Sequence, residues 1–129
     1  MSDSKDPAGT ISWVDISVPN AESLREFYSQ VVGWKAEPVD MGDHNDYSMA
    51  PASGGEAVAG VCHAQGTNAG LPAQWLIYVA VSNLDQSITR CTELGGKVLY
   101  GPKSMGADCR FCVIQDPAGA VMAIHESTS

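Results

Sequence analysis

The sequence predicts an α+β fold: two βαβββ modules in tandem, forming a curved mixed sheet with a concave inner face and the helices outside. Three observations predict it. A strand, a tight corner and an amphipathic run over residues 13–33 recur after a shift of 63 positions, so that Val18 falls on Val81, Asn20 on Asn83 and Gly33 on Gly96. Each of these starts is followed by short apolar runs separated by Gly- and Pro-containing turns. One small sheet with a single helix cannot hide both its faces, so two modules must share a larger sheet. The 129 residues fit one domain. Module one spans about 9–64 and module two about 74–126, with frayed tails at 1–8 and 127–129.

The first strand is residues 11–18. Val14, Ile16 and Val18 share one face; Trp13, Asp15 and Ser17 share the other. Pro19 cannot continue a ladder, and Asn20 is a good N-cap, worth about 1 kcal/mol. Leu24, Phe27, Tyr28 and Val31 then recur at helical spacing, and Gly33 is placed to stop the helix in the left-handed C′ position. Residues 34–39 read as a second strand ending near Pro38, 46–50 as a third and 56–63 as a fourth. On the fourth, Ala59, Val61 and His63 face one way and Val58, Gly60 and Cys62 the other. The Gly- and Asn-rich residues 64–73 read as the linker between modules.

The order then repeats. Residues 75–81 form a strand with Ile77, Val79 and Val81 toward the helices and Leu76, Tyr78 and Ala80 opposite. Asn83 and Gln86 make a capping box. Leu84, Ile88, Cys91 and Leu94 give the second helix its buried stripe. Strands follow at 97–100, 108–115 and 120–125, the last two joined by the turn Asp116-Pro117-Ala118-Gly119. Met122 and Ile124 face the core, and Val121, Ala123 and His125 the other way.

Composition excludes several classes. Apolar content of 44% with 17% charged residues fits a folded protein rather than a disordered one. A formal charge of −8 disfavours nucleic acid and anionic membrane surfaces, both of which recruit Lys and Arg. No apolar run approaches the roughly 20 residues needed to span a bilayer, and residues 1–7 lack the apolar centre of a signal peptide. A cytoplasmic protein with its four cysteines as thiols is expected. Cys109 and Cys112 have C-x-x-C spacing, but on a strand residues three apart point to opposite faces, so neither redox nor zinc chemistry is expected there. His44 is expected to be solvated and His63 to face the core.

Val18-Pro19-Asn20, Phe27-Tyr28, Gly33-Trp34, Leu94-Gly95-Gly96-Lys97-Val98 and Gln115-Asp116-Pro117-Ala118-Gly119-Ala120 occur in that order. Together they resemble the vicinal oxygen chelate superfamily of glyoxalases, extradiol dioxygenases and bleomycin-resistance proteins, and most closely its group related to lactoylglutathione lyase. The resemblance covers roughly residues 9–126. In the metal-dependent members, the resemblance implies ligands on the inner faces of the first, fourth, fifth and eighth strands. Those positions fall here on Trp13, Gly60, Leu76 and Ala123. None can coordinate a divalent cation, so neither a metal at these positions nor any other cofactor is expected.

Two residues along from each of these four positions, and on the same inner side, stand Asp15, Cys62, Tyr78 and His125, with Trp13 as an apolar wall. Trp13, Asp15, Cys62, Tyr78 and His125 are therefore the expected ligand-binding set, a mostly apolar face with a few placed polar groups. Asp15 and His125 are the candidate acid–base residues. The expected function is metal-independent binding of a planar or hydrophobic small molecule. The alternative is a lyase, isomerase or dioxygenase using a relocated metal or the Asp15/His125 pair. The resemblance also implies a homodimer.

Overall fold

The computed structural model describes residues 6–64, 72–104 and 108–127. Most of the expected linker, both extreme tails and residues 105–107 lie outside them. The elements are β1 (Ile11–Val18), α1 (Ala21–Val31), β2 (Lys35–Asp40), β3 (Asn45–Ala50), β4 (Ala59–His63), β5 (Leu76–Ala80), α2 (Leu84–Glu93), β6 (Lys97–Ser104), β7 (Cys109–Gln115) and β8 (Val121–Ser127). The class is α+β, as expected, with β, α, β, β, β following one another twice.

The chain divides into two units. Trp13–Trp75 form one; the residues up to Ser12 join Leu76–Ser129 in the other. That assignment of the chain start has a cause in the backbone: the Gly9 N–H donates to the Ala80 carbonyl (2.7 Å) and the Ala80 N–H to the Thr10 carbonyl (2.9 Å).

In the first unit the strand order is β2-β3-β4-β1, antiparallel except for the parallel β4–β1 pair. In the second it is β6-β7-β8-β5, with β5 and β8 parallel. The repeat extends to the hydrogen-bond register. Asp15 pairs with Gly60, Ile16 with Val61 and Ser17 with Cys62. Adding 63 to each number gives Tyr78 with Ala123, Val79 with Ile124 and Ala80 with His125, all of them observed pairs.

Both helices begin as expected. The Asn20 side chain accepts from the Ser23 N–H (3.3 Å) and the Asn83 side chain from the Gln86 N–H (3.0 Å). Each helix packs on its own unit's strands. Under α1 the buried cluster is Ile16, Ala21, Tyr47, Met49, Ala59 and Val61, flanked by Val14, Leu24, Tyr28, Trp34 and Trp75. The Trp75 indole N–H donates to the Tyr28 hydroxyl at 3.0 Å, which satisfies both polar groups in that aromatic wall. Under α2 the cluster is Leu84, Cys112 and Ile124, flanked by Ile88, Val98, Ile114 and Met122.

Several expected details are corrected. Phe27, Val31 and Leu94 are exposed, Leu94 to 74%; it is the C-cap residue of α2, already out of helical geometry. β2 runs past Pro38 to Asp40 because it is an edge strand, where a missing N–H costs no ladder bond. β6 is twice as long as expected. Register shifts after Val98 and Tyr100 absorb the irregularity around Gly101 and Pro102, again on an edge strand. β4 begins only at Ala59, after a turn in which Gly54 and Gly55 take positive φ. β8 extends to Ser127, which pairs with Cys109.

Gly33 also matches differently. It takes φ +87° at the end of α1, the expected left-handed role. Its equivalent at the end of α2 is Gly95 (φ +95°), not Gly96, because α2 stops one residue earlier in the repeat.

Candidate functional site

Strand alternation puts the odd-numbered residues of β1 and the even-numbered ones of β4 on the side away from α1. In the first unit, Asp15 and Gly60 are parallel-strand partners. A Cβ built on Gly60 would lie 3.2 Å from Asp15 Cβ, 3.4 Å from Trp13 Cζ2 and 3.7 Å from Cys62 Sγ. The structure therefore brings Trp13, Asp15 and Cys62 together, around the one residue with no side chain. The edge of the indole stands in van der Waals contact with position 60.

Asp46, on β3, belongs to the same group. The Cys62 thiol hydrogen-bonds its carboxylate. Burial first, and then the negative charges of Asp15 and Asp46, push that thiol far above the ordinary thiol range. Burial and these charges disfavour the thiolate, the form that acts as a nucleophile.

In the second unit, Leu76 and Ala123 are buried and apolar, so the residues present do not fit a metal at those positions either. Tyr78 pairs with Ala123 across β5 and β8 and is buried. Its ring stands 6.2 Å from that of Phe111, which in turn stands 5.6 Å from Tyr100. Tyr100 and Phe111 were not in the expected set. The signal was available: Phe111 pairs with His125 across β7 and β8, and so shares its face.

His125 is buried and fully hydrogen-bonded. Its Nε2 is 2.5 Å from Ser12 Oγ, and its Nδ1 is 3.7 Å from Cys109 Sγ. The Ser12 hydroxyl donates to the Tyr78 carbonyl (3.3 Å). One tautomer satisfies all of these groups: Nε2–H donates to Ser12, and Nδ1 accepts from Cys109. Burial holds the His125 pKa below the ordinary histidine value and outweighs the opposing pull of Asp6.

The sign of the resulting pH dependence follows. The folded pKa lies below the unfolded value of about 6.5, so the unfolded chain binds the proton more readily. This contribution to stability is complete above about pH 6.5 and is lost as pH falls toward the folded pKa. Urea unfolding midpoints measured between pH 7.5 and 5 should therefore fall more in the wild type than in His125→Gln. Equal slopes would remove His125 from the account.

Cys109 and Cys112 point to opposite sides. Cys112 is in the core under α2, its thiol pushed up to about 11 chiefly by burial, while Cys109 lies beside His125. Both are free thiols.

His44 and His63 differ from expectation. Neither is simply solvated or core-facing; each side chain is 19% exposed. His44 lies 2.6 Å from Asp43 and 3.3 Å from Asp46, and His63 lies 3.6 Å from Asp46. Among the described residues, no helix is long and apolar enough to cross a membrane.

A family model described as "Glyoxalase/Bleomycin resistance protein/Dioxygenase superfamily" matches residues 10–124. The protein named "Putative glyoxylase CFP32" of Mycobacterium tuberculosis (strain CDC 1551 / Oshkosh) is 32% identical over 122 residues, covering 92% of this chain and 46% of that protein. "Anthracycline biosynthesis protein DnrV" of Streptomyces peucetius is 29% identical over 128 residues, covering 90% and 46%. The chain thus spans about half the length of the curated relatives it matches. Methylmalonyl-CoA epimerase of Mycobacterium tuberculosis superposes with a TM-score of 0.58 at 18% identity, over 100% of this chain and 93% of that one. At that identity the likeness shows the fold alone.

Proposed function

We propose, for a chain that belongs to the Glyoxalase/Bleomycin resistance protein/Dioxygenase superfamily, that it binds a planar or hydrophobic organic molecule without a metal at the family's inherited ligand positions. The observation that carries this reading is the arrangement at Gly60. The glycine carries no side chain that could ligate an ion, the edge of the Trp13 indole stands against it, and Asp15 and Cys62 border the same position. An aromatic face with a few placed polar groups is the make-up of a small-molecule site. The second unit carries a comparable face in Tyr78, Phe111 and Tyr100, with His125 beside it. A soluble cytoplasmic homodimer is part of the same reading, by analogy with the family. One curated relative is named for anthracycline biosynthesis, which supports a test of polycyclic aromatic compounds.

The test is equilibrium dialysis of the full chain against a panel of planar aromatic polyketides and a metabolite extract, read by mass spectrometry. Wild type is expected to retain a compound that Trp13→Ala binds at least tenfold more weakly, about 1.4 kcal/mol. Retention by both proteins alike, or by neither, would overturn the reading.

A second reading is favoured by Asp15, a carboxylate on that same face. In a lyase or isomerase it would be the base that takes a proton from carbon beside a carbonyl. Turnover of glyoxal-type or acyl thioester substrates, lost in Asp15→Asn with ligand retention intact, would replace binding by catalysis.

A further inference from the structure

We propose that His44, Asp46 and His63 form a site for a divalent transition-metal ion, with zinc as the reference case, at the end of the β3–β4 ladder. A donor atom from each of the three lies within 4.8 Å of the others. Asp46 Oδ1 is 3.3 Å from His44 Nε2 and 3.6 Å from His63 Nδ1. Ligand atoms held about 2 Å from a tetrahedral ion are about 3.3 Å apart, so the carboxylate already stands at nearly that spacing from both imidazoles. The two rings meet edge to face with centroids 5.0 Å apart. A simple ion pair needs one imidazole beside a carboxylate; here a second converges on the same oxygen.

The fold builds this meeting. Asp46 is the second residue of β3, and His44 stands in the bend just before that strand. Antiparallel pairing of Tyr47 with Val61 brings the start of β3 beside the end of β4, where His63 stands. The loop before His44 is fixed: the Gly42 N–H donates to Asp40 Oδ1 (2.8 Å), and the Met41 N–H to the His44 carbonyl (2.9 Å).

A second observation concerns orientation. His44 Nδ1 lies 2.6 Å from Asp43 Oδ1. In the neutral tautomer that donates Nδ1–H to Asp43, Nε2 carries the lone pair on the side of Asp46. Metal-bound histidines are oriented by this carboxylate–histidine arrangement. Asp46 is oriented as well, since its Oδ1 accepts from the His63 backbone N–H at 2.9 Å. His63 Nδ1 is 2.9 Å from the Asn45 carbonyl. A carbonyl only accepts, so this contact uses the Nδ1–H tautomer; ligation through Nδ1 uses the other neutral tautomer, which presents the Nδ1 lone pair. Two imidazoles and a carboxylate suit zinc, cobalt or ferrous iron and leave a position open to water.

The site goes beyond the organic-ligand reading and fails separately from it, because zinc uptake reads one and retention of an organic compound reads the other. The experiment uses the full chain, untagged and chelator-treated, titrated with Zn2+ alone by calorimetry and with Co2+ by visible absorption. The expected result is one equivalent of Zn2+ and a Co2+ spectrum of tetrahedral intensity. His44→Ala and His63→Ala should each weaken binding at least tenfold, and Asp43→Asn by about 10- to 100-fold. If an alanine variant fails to fold, His44→Gln and Asp46→Asn carry the same test. No uptake by wild type at about 100 μM free Zn2+ would overturn the proposal and leave the cluster as a hydrogen-bonded brace for the hairpin. So would uptake unchanged by the histidine variants, which would place the ion elsewhere.

Discussion

Leu84→Ala is expected to lower the unfolding free energy by about 3 kcal/mol and Tm by about 10 °C for a chain of this length. Leu84 is the first residue of α2 and has no exposed surface. It sits in a cluster with Cys112 and Ile124, walled by Val81, Ile88, Val98, Ile114 and Met122. Its backbone is held too, with the Leu84 N–H donating to Glu126 Oε1 at 2.5 Å. A helix pinned at this point cannot slide inward to close the cavity that the missing atoms leave, so the cavity penalty adds to the lost transfer energy. Leu84→Met keeps the volume and should cost less than about 1.5 kcal/mol. A loss below about 1 kcal/mol for the alanine variant in urea unfolding would mean that this end of α2 is not packed as described. The equivalent position in the repeat, Ala21, is also fully buried but carries a single methyl. There the neighbouring volume comes from Met49 and Tyr47 on the sheet instead. Two units with one backbone plan thus divide the same space differently between helix and strand.

That contrast shows what the sequence could and could not convey. The repeat was legible because backbone requirements leave local marks. Asn20 and Asn83 cap, Pro19 breaks, and strand alternation sets the faces, so the helix starts and the β1/β4 and β5/β8 pairs could be placed by counting. The grouping of Trp13, Asp15 and Cys62 followed, since it needs only the alternation and the pairing of β1 with β4. Periodicity failed where burial depends on what lies opposite. Phe27 and Val31 keep helical spacing yet are exposed, because the strands cover only one stripe of α1, and Leu94 falls past the end of α2. It failed again at β6, where bulges reset the register. The His44, Asp46 and His63 cluster was illegible for a different reason. His63 lies 17 residues beyond Asp46 along the chain, as the separation across their hydrogen bond records. Only the β3–β4 register brings them together, and that register hangs on a Gly-rich turn with no periodicity of its own.

Gly96→Ala is the second large effect, expected at about 3 kcal/mol, and the comparison with its neighbour identifies the cause. α2 ends in a double hydrogen bond: the Gly96 N–H donates to the Cys91 carbonyl (2.8 Å) and the Gly95 N–H to the Thr92 carbonyl (3.3 Å). Gly95 is the left-handed residue of the pair, at φ +95°. A Cβ there meets nothing closer than the Pro117 ring at 3.8 Å. Gly95→Ala should therefore cost only the conformational penalty of about 1–2 kcal/mol. Gly96 has no unusual φ, but a Cβ on it would lie 2.7 Å from Cys91 Sγ, 2.9 Å from the Gln115 carbonyl oxygen and 3.1 Å from the Cys91 carbonyl oxygen. The sulfur can rotate away; the two carbonyls belong to the helix end and to β7, and can yield only if α2 separates from its sheet. Overpacking against backbone costs about 1–3 kcal/mol and occasionally more, and here the end of the helix is lost with it. Removing the sulfur as well, in Cys91→Ala/Gly96→Ala, should recover little, because the carbonyl contacts remain. Urea midpoints that rank Gly95→Ala as the costlier change, or a double variant restored to wild-type stability, would show that the close approach of α2 to β7 is not what makes a glycine necessary at 96.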